Sequence, residues 1–170
     1  MHRVITSFCL LFLMFAAVQA LAQEAPEGSA TCNFDQEKQL ALQYRRVAVN
    51  LKKPLSNQIP FGKVWAPGGK PMTLFTNTSV QIGSRILPIG AYTLFLIPNS
   101  KQWTLVVSKS TDTSGAYDQE QDLVRVPMES GELPSPESQL NVAFGHVAPG
   151  QCNLRADLDK TGHFAVFHMK

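Results

Sequence analysis

Met72-Thr73-Leu74-Phe75-Thr76-Asn77-Thr78-Ser79-Val80-Gln81-Ile82 is the stretch on which the fold turns. Met72, Leu74, Thr76, Thr78, Val80 and Ile82 share one parity, and Thr73, Asn77, Ser79 and Gln81 fill most of the other. A period of two sets one side against a core and the other in water, which predicts a single β-strand over 72–82. Gly83-Ser84 suits a tight turn in which glycine takes a positive φ, and the chain returns through Arg85 to Leu87 before Pro88 and Gly90 bend it again.

Outward from there the same rhythm continues. Tyr92 to Ile97 is almost unbroken apolar sequence, as expected of a central strand covered on both faces. Pro98-Asn99-Ser100-Lys101 makes a turn, and Trp103, Leu105 and Val107 alternate beyond it. A polar loop at Ser110 to Gly115 precedes a strand at Leu123 to Met128, and Glu129 to Glu137, with two prolines, reads as a loop. Leu140, Val142 and Phe144 alternate. Leu154, Ala156 and Leu158 follow, then a turn at Asp159-Lys160-Thr161-Gly162 with Gly162 in the left-handed position, and a last run from His163 to Phe167. Over Gln36 to Leu51 the parity of Leu40, Leu42 and Tyr44 changes to that of Val47, Val49 and Leu51. A strand with a bulge near Arg45-Arg46 accounts for this, and a short helix over Asp35 to Tyr44 is the competing interpretation. Turn signals every ten residues or so predict an all-β, antiparallel β-sandwich, jelly-roll-like, with about eight to nine strands in one domain.

The N-terminus stands apart from this pattern. His2 and Arg3 lead into the apolar run Val4 to Val18, and small residues frame the sites Val18-Gln19-Ala20 and Ala20-Leu21-Ala22. That is the layout of a secretory signal peptide over 1–22, and the run falls short of the roughly 18 to 20 apolar residues of a membrane span. Residues 23–30, polar with Pro26 and Gly28, read as a flexible leader, and 31–170 as the domain. The expected location is therefore the periplasm or the exterior, with no transmembrane segment after cleavage. Removing Cys9 leaves Cys32 and Cys152, either as a disulfide that ties the start of the domain to its last hairpin or as two separate buried thiols.

Composition narrows the function. Of 170 residues 44% are apolar, 16% charged and 9% aromatic, with 15 Lys+Arg against 13 Asp+Glu for a net charge of +2. This is too apolar for a disordered chain and lacks the basic excess that neutralises phosphates, so no nucleic-acid partner is expected. No metal or cofactor is expected either. Of the three histidines left after cleavage, His163 and His168 differ by an odd number and point to opposite faces of a strand, and His146 has no partner at zinc-signature spacing, its one alternative being an acidic residue met across the fold. Asp157 to Gly162 resembles the start of a calcium loop, but Thr161 and His168 stand where acidic ligands belong. Gly62 to Lys70 has the glycines and lysine of a phosphate cradle at the wrong spacing, with Pro71 in the hydroxyl position. Asp118, Glu120 and Asp122 read as a solvated acidic loop. There is no G-x-S-x-G elbow.

The stretch from "PFGKVWAPGGKPMTLF" through "QIGSRILPIGAYTLFLIPNSKQWTLVVSK", followed by "GAYDQEQDLVRV", resembles an uncharacterised family of exported bacterial proteins, domain of unknown function 2911. Shared in order are a Pro-(aromatic)-Gly-Lys-Val-Trp segment, an Ile-Gly turn, a Leu-Pro-x-Gly-x-Tyr-x-Leu-Phe-x-Ile-Pro strand, a Trp-Thr-Val strand, and Tyr-Asp before Leu-Arg-Val. The match runs from Pro60 to about Val126, with a looser echo toward the C-terminus. The resemblance implies an all-β domain and no known activity. Where relatives read Arg-Thr-Gly-Ala-Asn-Glu after the tryptophan, this chain has Ala66-Pro67-Gly68-Gly69-Lys70-Pro71. A site in that place would have to be rebuilt around Lys63 and Lys70.

The function expected on these grounds is a non-catalytic, exported sandwich that binds a small molecule, a glycan or an envelope protein. Its candidate binding residues are Lys63, Trp65, Lys70, Tyr117 and Arg125, an aromatic face with cations suited to an anionic or polyhydroxylated partner. A bland alternative has Trp65 plugging one end of the core. Two other classes compete: an envelope hydrolase using His146 or His163 as base with Asp157 or Asp118 as orienting carboxylate, and a structural component that self-associates through an exposed sheet edge.

Overall fold

The computed structural model describes residues 25–170, so the signal-peptide segment at 1–22 and Cys9 lie outside the described residues. The stretch 72–82 keeps its parity but serves two sheets. Met72, Leu74, Thr76, Thr78, Val80 and Ile82 are all buried, yet the chain breaks after Thr76 and re-enters as a separate strand at Val80. The crossing is held locally: the Thr76 hydroxyl donates to the Thr78 carbonyl at 2.6 Å and accepts from the Thr78 amide at 3.3 Å. Asn77 accepts from the Gln39 amide and donates to the Glu37 carbonyl, both at 2.7 Å. A strand can change layers without turning its apolar side outward because the side-chain period stays at two through the crossing.

Ten strands result, one or two more than the turn rhythm suggested. The strands β1 (Glu27–Asn33), β2 (Gln39–Arg45), β3 (Met72–Thr76), β6 (Gly90–Ile97), β7 (Thr104–Ser108) and β8 (Asp122–Pro127) form a six-stranded antiparallel sheet in the order β1-β2-β3-β6-β7-β8. A four-stranded antiparallel sheet, β5-β4-β10-β9, is built from β4 (Val80–Ile82), β5 (Arg85–Leu87), β9 (Glu129–Ala148) and β10 (Gln151–Met169). The two stack on a shared core that includes Leu40, Leu74, Leu94, Leu105, Leu154 and Phe167. The only helical segments among the described residues are 3-10 turns at Leu55–Asn57, Pro67–Gly69 and Gln119–Gln121. None is long and apolar enough to cross a membrane.

Several boundaries differ from the sequence reading. The segment 27–30 is not leader but the first half of β1, paired through Glu27↔Arg45 to Ala30↔Leu42; its polar residues alternate outward on an edge strand, so no apolar period announces it. Over 36–51 the strand interpretation holds rather than the helix. β2 ends at Arg45, and the chain then crosses to the other sheet, where Ala48 bridges Gln139.

The loop at 129–137 is also a correction, since these residues belong to β9. Pro134 and Pro136 are accommodated because β9 is an edge strand and because, between the pairs Asp159↔Glu137 and Thr161↔Glu132, four residues of β9 stand opposite one of β10. Proline cannot donate to a ladder, so it survives on an edge or in such a bulge, and there it blunts further pairing. The turn at 159–162 is likewise absent. β10 runs straight through it, and the hairpin closes at Gly150 (φ 69) instead. The residue with positive φ is Asp159 (φ 56), not Gly162. Cys152, Leu154, Ala156 and Leu158 are buried on one parity, and His163, Ala165 and Phe167 on the other. An irregularity between Asp157 and Thr161 absorbs that shift.

β6 is covered on both faces, as its composition requires. Tyr92, Leu94 and Leu96 face the core, while Thr93 and Phe95 are buried from outside by the chain between β7 and β8. That segment is fastened by the Thr93 hydroxyl donating to the Ser110 carbonyl at 2.9 Å and by the Tyr117 ring packing edge-on to Phe95 at 5.1 Å. Cys32 and Cys152 form a disulfide, with Cα atoms 6.2 Å apart and a sequence separation of 120. It joins β1 of one sheet to β10 of the other.

Candidate functional site

Three irregular features meet at one end of the sandwich: the 3-10 turn at Leu55–Asn57 with Phe61 beyond it, the turn Asn99–Lys101, and the bulged part of the β9–β10 pair. They enclose a cleft of about 540 Å³. Bulges of this kind re-aim side chains away from a regular ladder, and a non-glycine residue held at positive φ marks backbone constrained by its surroundings.

Trp103 and His163 line the inner part of this cleft. Trp103 is 1% exposed, and its ring stacks on the His163 imidazole at 4.2 Å with only 12° between the planes. His163 is itself buried, and burial lowers its pKa to about 4. The ring is therefore neutral at physiological pH, with one N–H and one lone pair. Nδ1 is sealed without a hydrogen-bond partner, so any hydrogen bond from the ring to a guest falls to Nε2. Around this pair stand hydroxyls from Ser56, Ser100, Ser130 and Thr161, the Asn99 amide, the carboxylates of Glu132 and Asp159, and the Lys101 ammonium. Leu55 and Phe61 add apolar surface.

Such an arrangement can bind. What it lacks among the described residues is a base coupled to an acid: no hydrogen bond joins His163 or His146 to a carboxylate. Asp157 is engaged by Arg155 through contacts of 3.1 and 3.2 Å, and Asp118 accepts from the Glu120 amide at 2.9 Å and the Gln121 side chain at 3.3 Å. His163 and His168 do point to opposite faces, one buried and one exposed.

The five residues singled out from sequence fall into separate places. Trp65 is 9% exposed, bridges Leu96 through both backbone bonds, and packs edge-on to Trp103 at 6.2 Å. It fills the core behind the cleft. Lys63 is exposed and follows Phe61 by two residues on the cleft's wall. Lys70 borders a smaller hollow of about 190 Å³ with Tyr44, Arg45 and Thr113.

Tyr117 and Arg125 do come together, but on the outer face of the six-stranded sheet. The Tyr117 hydroxyl donates to Asp122 at 2.6 Å, and Arg125 donates to both Asp122, at 2.9 Å, and the Tyr117 hydroxyl. Burial is the main cause that raises the Tyr117 pKa, and the hydrogen bond to Asp122 raises that of Arg125. Each polar group is thus used to fasten the 109–121 segment over Phe95. The cleft residues Asn99 to Lys101, Ser130 to Glu132 and Asp159 escaped the sequence reading. The one signal that could have found them is the parity break at 158–163, which was read as a turn.

Burial of a neutral histidine gives the fold a defined acid sensitivity. Because the folded pKa of about 4 lies below the unfolded value near 6.5, the unfolded chain takes up the proton first as pH falls. Stability is unaffected above about pH 6.5, declines between there and about pH 4, and levels off below, a loss of roughly 3 kcal/mol. Denaturant midpoints measured across that window should show the decline in the native protein and a much flatter profile in His163→Gln. Equal slopes in the two would remove His163 as its source.

The model of a family described as "Protein of unknown function (DUF2911)" matches residues 25–164 of this chain. No curated protein and no solved structure matches.

Proposed function

The chain belongs to the DUF2911 family of proteins of unknown function, and from that premise we propose that it is a non-catalytic binding domain for a small polyhydroxylated molecule, a sugar or short glycan, taken up in the cleft over Trp103 and His163. The observation that carries the proposal is the neutral, desolvated His163 at the inner wall of a cleft dressed with hydroxyls, an amide and the Phe61 ring, with the carboxylates of Glu132 and Asp159 and the Lys101 ammonium beside them. Sugars present many neutral donors and acceptors on an apolar frame. They are matched by fixed neutral polar groups beside an aromatic surface, and a cationic histidine is not needed. Lys101, which lines the cleft, would tolerate an acidic sugar. The working place is an oxidising compartment outside the cytoplasm; the Cys32–Cys152 disulfide and the export pattern at 1–22 support this.

The test is a titration with glucose, galactose, N-acetylglucosamine, glucuronic acid and their short oligomers, followed by amide chemical shifts. Saturable shifts confined to 99–101, 130–132 and 159–163 are expected. Replacing Asn99 and Ser130 together by alanine should weaken binding about tenfold or more, for two lost hydrogen bonds of about 1 kcal/mol each. Silence across the whole panel overturns the proposal. Shifts centred on Lys70 or Tyr117 instead move the site to the other hollow and overturn the cleft.

A further inference from the structure

Far from the cleft, the Cys32–Cys152 bond has an unexpected neighbour. His146 is the β9 residue opposite Cys152 in the β9–β10 register. The two Sγ atoms and an imidazole nitrogen of His146 all lie within 4.8 Å of one another. The sulfurs are buried, at 5% and 0% residue exposure, while His146 is exposed and its side chain makes no hydrogen bond or ion pair with another described residue. A disulfide by itself has no need of an imidazole there. Two thiolates and one imidazole, however, are a recognised donor set for a soft or borderline d10 cation.

We propose that Cys32, Cys152 and His146 form a thiol-dependent site for Zn2+ or Cu+, opened when the disulfide is reduced. With bonds of about 2.0 to 2.3 Å a tetrahedral or trigonal ion holds its donors roughly 3.3 to 4 Å apart, so three donors already gathered within 4.8 Å reach that spacing by side-chain rotation once the S–S bond is broken. Exposure of His146 leaves one side of the ion open to solvent, a fourth position for water on tetrahedral Zn2+; Cu+ would be content with the three donors. The reductant is a dithiol. It gives two electrons and two protons to the S–S bond, which breaks into two thiols, and closes into its own cyclic disulfide. Binding of the cation then displaces the two thiol protons. Because the same two sulfurs hold the ion, the link between β1 and β10 is restored in another form.

The experiment uses the full chain with Cys9→Ala, so that only two thiols report. The protein is reduced with dithiothreitol, freed of reductant without air, and titrated with Co2+ as a probe and then with Zn2+; a parallel titration uses Cu+. One equivalent of Co2+ with a thiolate-to-cobalt charge-transfer band is expected, displaced by Zn2+ and accompanied by release of two protons. The oxidised chain should give no such band, and His146→Ala, a surface change, should weaken binding about tenfold or more. Tight Cu+ binding with weak Zn2+ binding assigns the site to the softer ion. A reduced chain that keeps its β-sheet circular dichroism but shows no charge-transfer band with Co2+ and no Cu+ uptake overturns the proposal. So does binding indifferent to His146→Ala. If reduction melts the sheet signal, added Zn2+ or Cu+ must restore it, and failure to do so overturns the proposal as well.

Discussion

Trp103→Ala is expected to lower the free energy of unfolding by about 3 to 5 kcal/mol, the range for large aromatic truncations in a packed core. The indole is 1% exposed and touches two further rings, Trp65 edge-on at 6.2 Å and His163 face-on at 4.2 Å. Its backbone carbonyl still accepts from the Met128 amide at 2.8 Å, so the loss is one of side-chain packing rather than of the β7–β8 connection. The cleft adjoins the void that would open, and water entering from it would surround His163. The histidine should then titrate closer to 6.5, and the acid sensitivity described above should shrink along with the stability. Urea denaturation at pH 7.5 and an NMR titration of His163 read the two effects separately. A loss below about 1 kcal/mol, or a His163 pKa that stays near 4, would show that the indole does not seal this end of the core. Trp65→Ala perturbs the same contact, so its effect and that of Trp103→Ala should not add.

How much of this was legible beforehand depends on what kind of signal each element emits. Strands with a buried face announce themselves: Met72 to Ile82 and Leu140 to Phe144 carry the period of two, with Phe144 only partly buried, while Tyr92 to Ile97, covered on both faces, carries an apolar run instead. The layer in which a strand lies is not written in its period. The break at Thr76-Asn77-Thr78 therefore moved the chain to a second sheet without leaving a trace in the alternation. Edge strands are quieter still. β1 buries one residue, Cys32, and the first part of β9 has prolines that ordinarily signal a loop. The candidate cleft fell in this quiet class. It is assembled from two turns and the irregular stretch of the β9–β10 pair, where β9 carries the extra residues, and only pairing, which is non-local, distinguishes such a bulge from a turn. Trp65, prominent in the sequence as an aromatic in a Gly-Pro-rich loop, lies one ring behind the cleft, edge-on to Trp103.

Replacing both Cys32 and Cys152 by alanine should lower stability by about 4 to 5 kcal/mol in the chain-entropy description, because the bond closes a loop of 120 residues and so restricts the unfolded chain strongly. Against a typical 5 to 15 kcal/mol for a domain this is enough to make the fold marginal. The native state should nevertheless keep its architecture. β1 is held to β2 by seven residue pairs from Glu27↔Arg45 to Asn33↔Gln39, and neither strand depends on the sulfurs for its ladder. The damage is therefore expected in two tiers. Globally, the urea midpoint falls. Locally, β1 is an edge strand, and its remaining tether to the second sheet is packing against β9, so amide exchange should accelerate at Ala30 and Cys32→Ala before it does at Leu94 or Leu105, which lie in the sheet's interior. Comparing the double alanine variant with the oxidised protein isolates the cross-link. A midpoint change equivalent to less than about 1 kcal/mol would mean that the unfolded chain is already compact around these positions, whereas uniform acceleration of exchange across both sheets would mean that β1 is not a separable edge but part of the cooperative core.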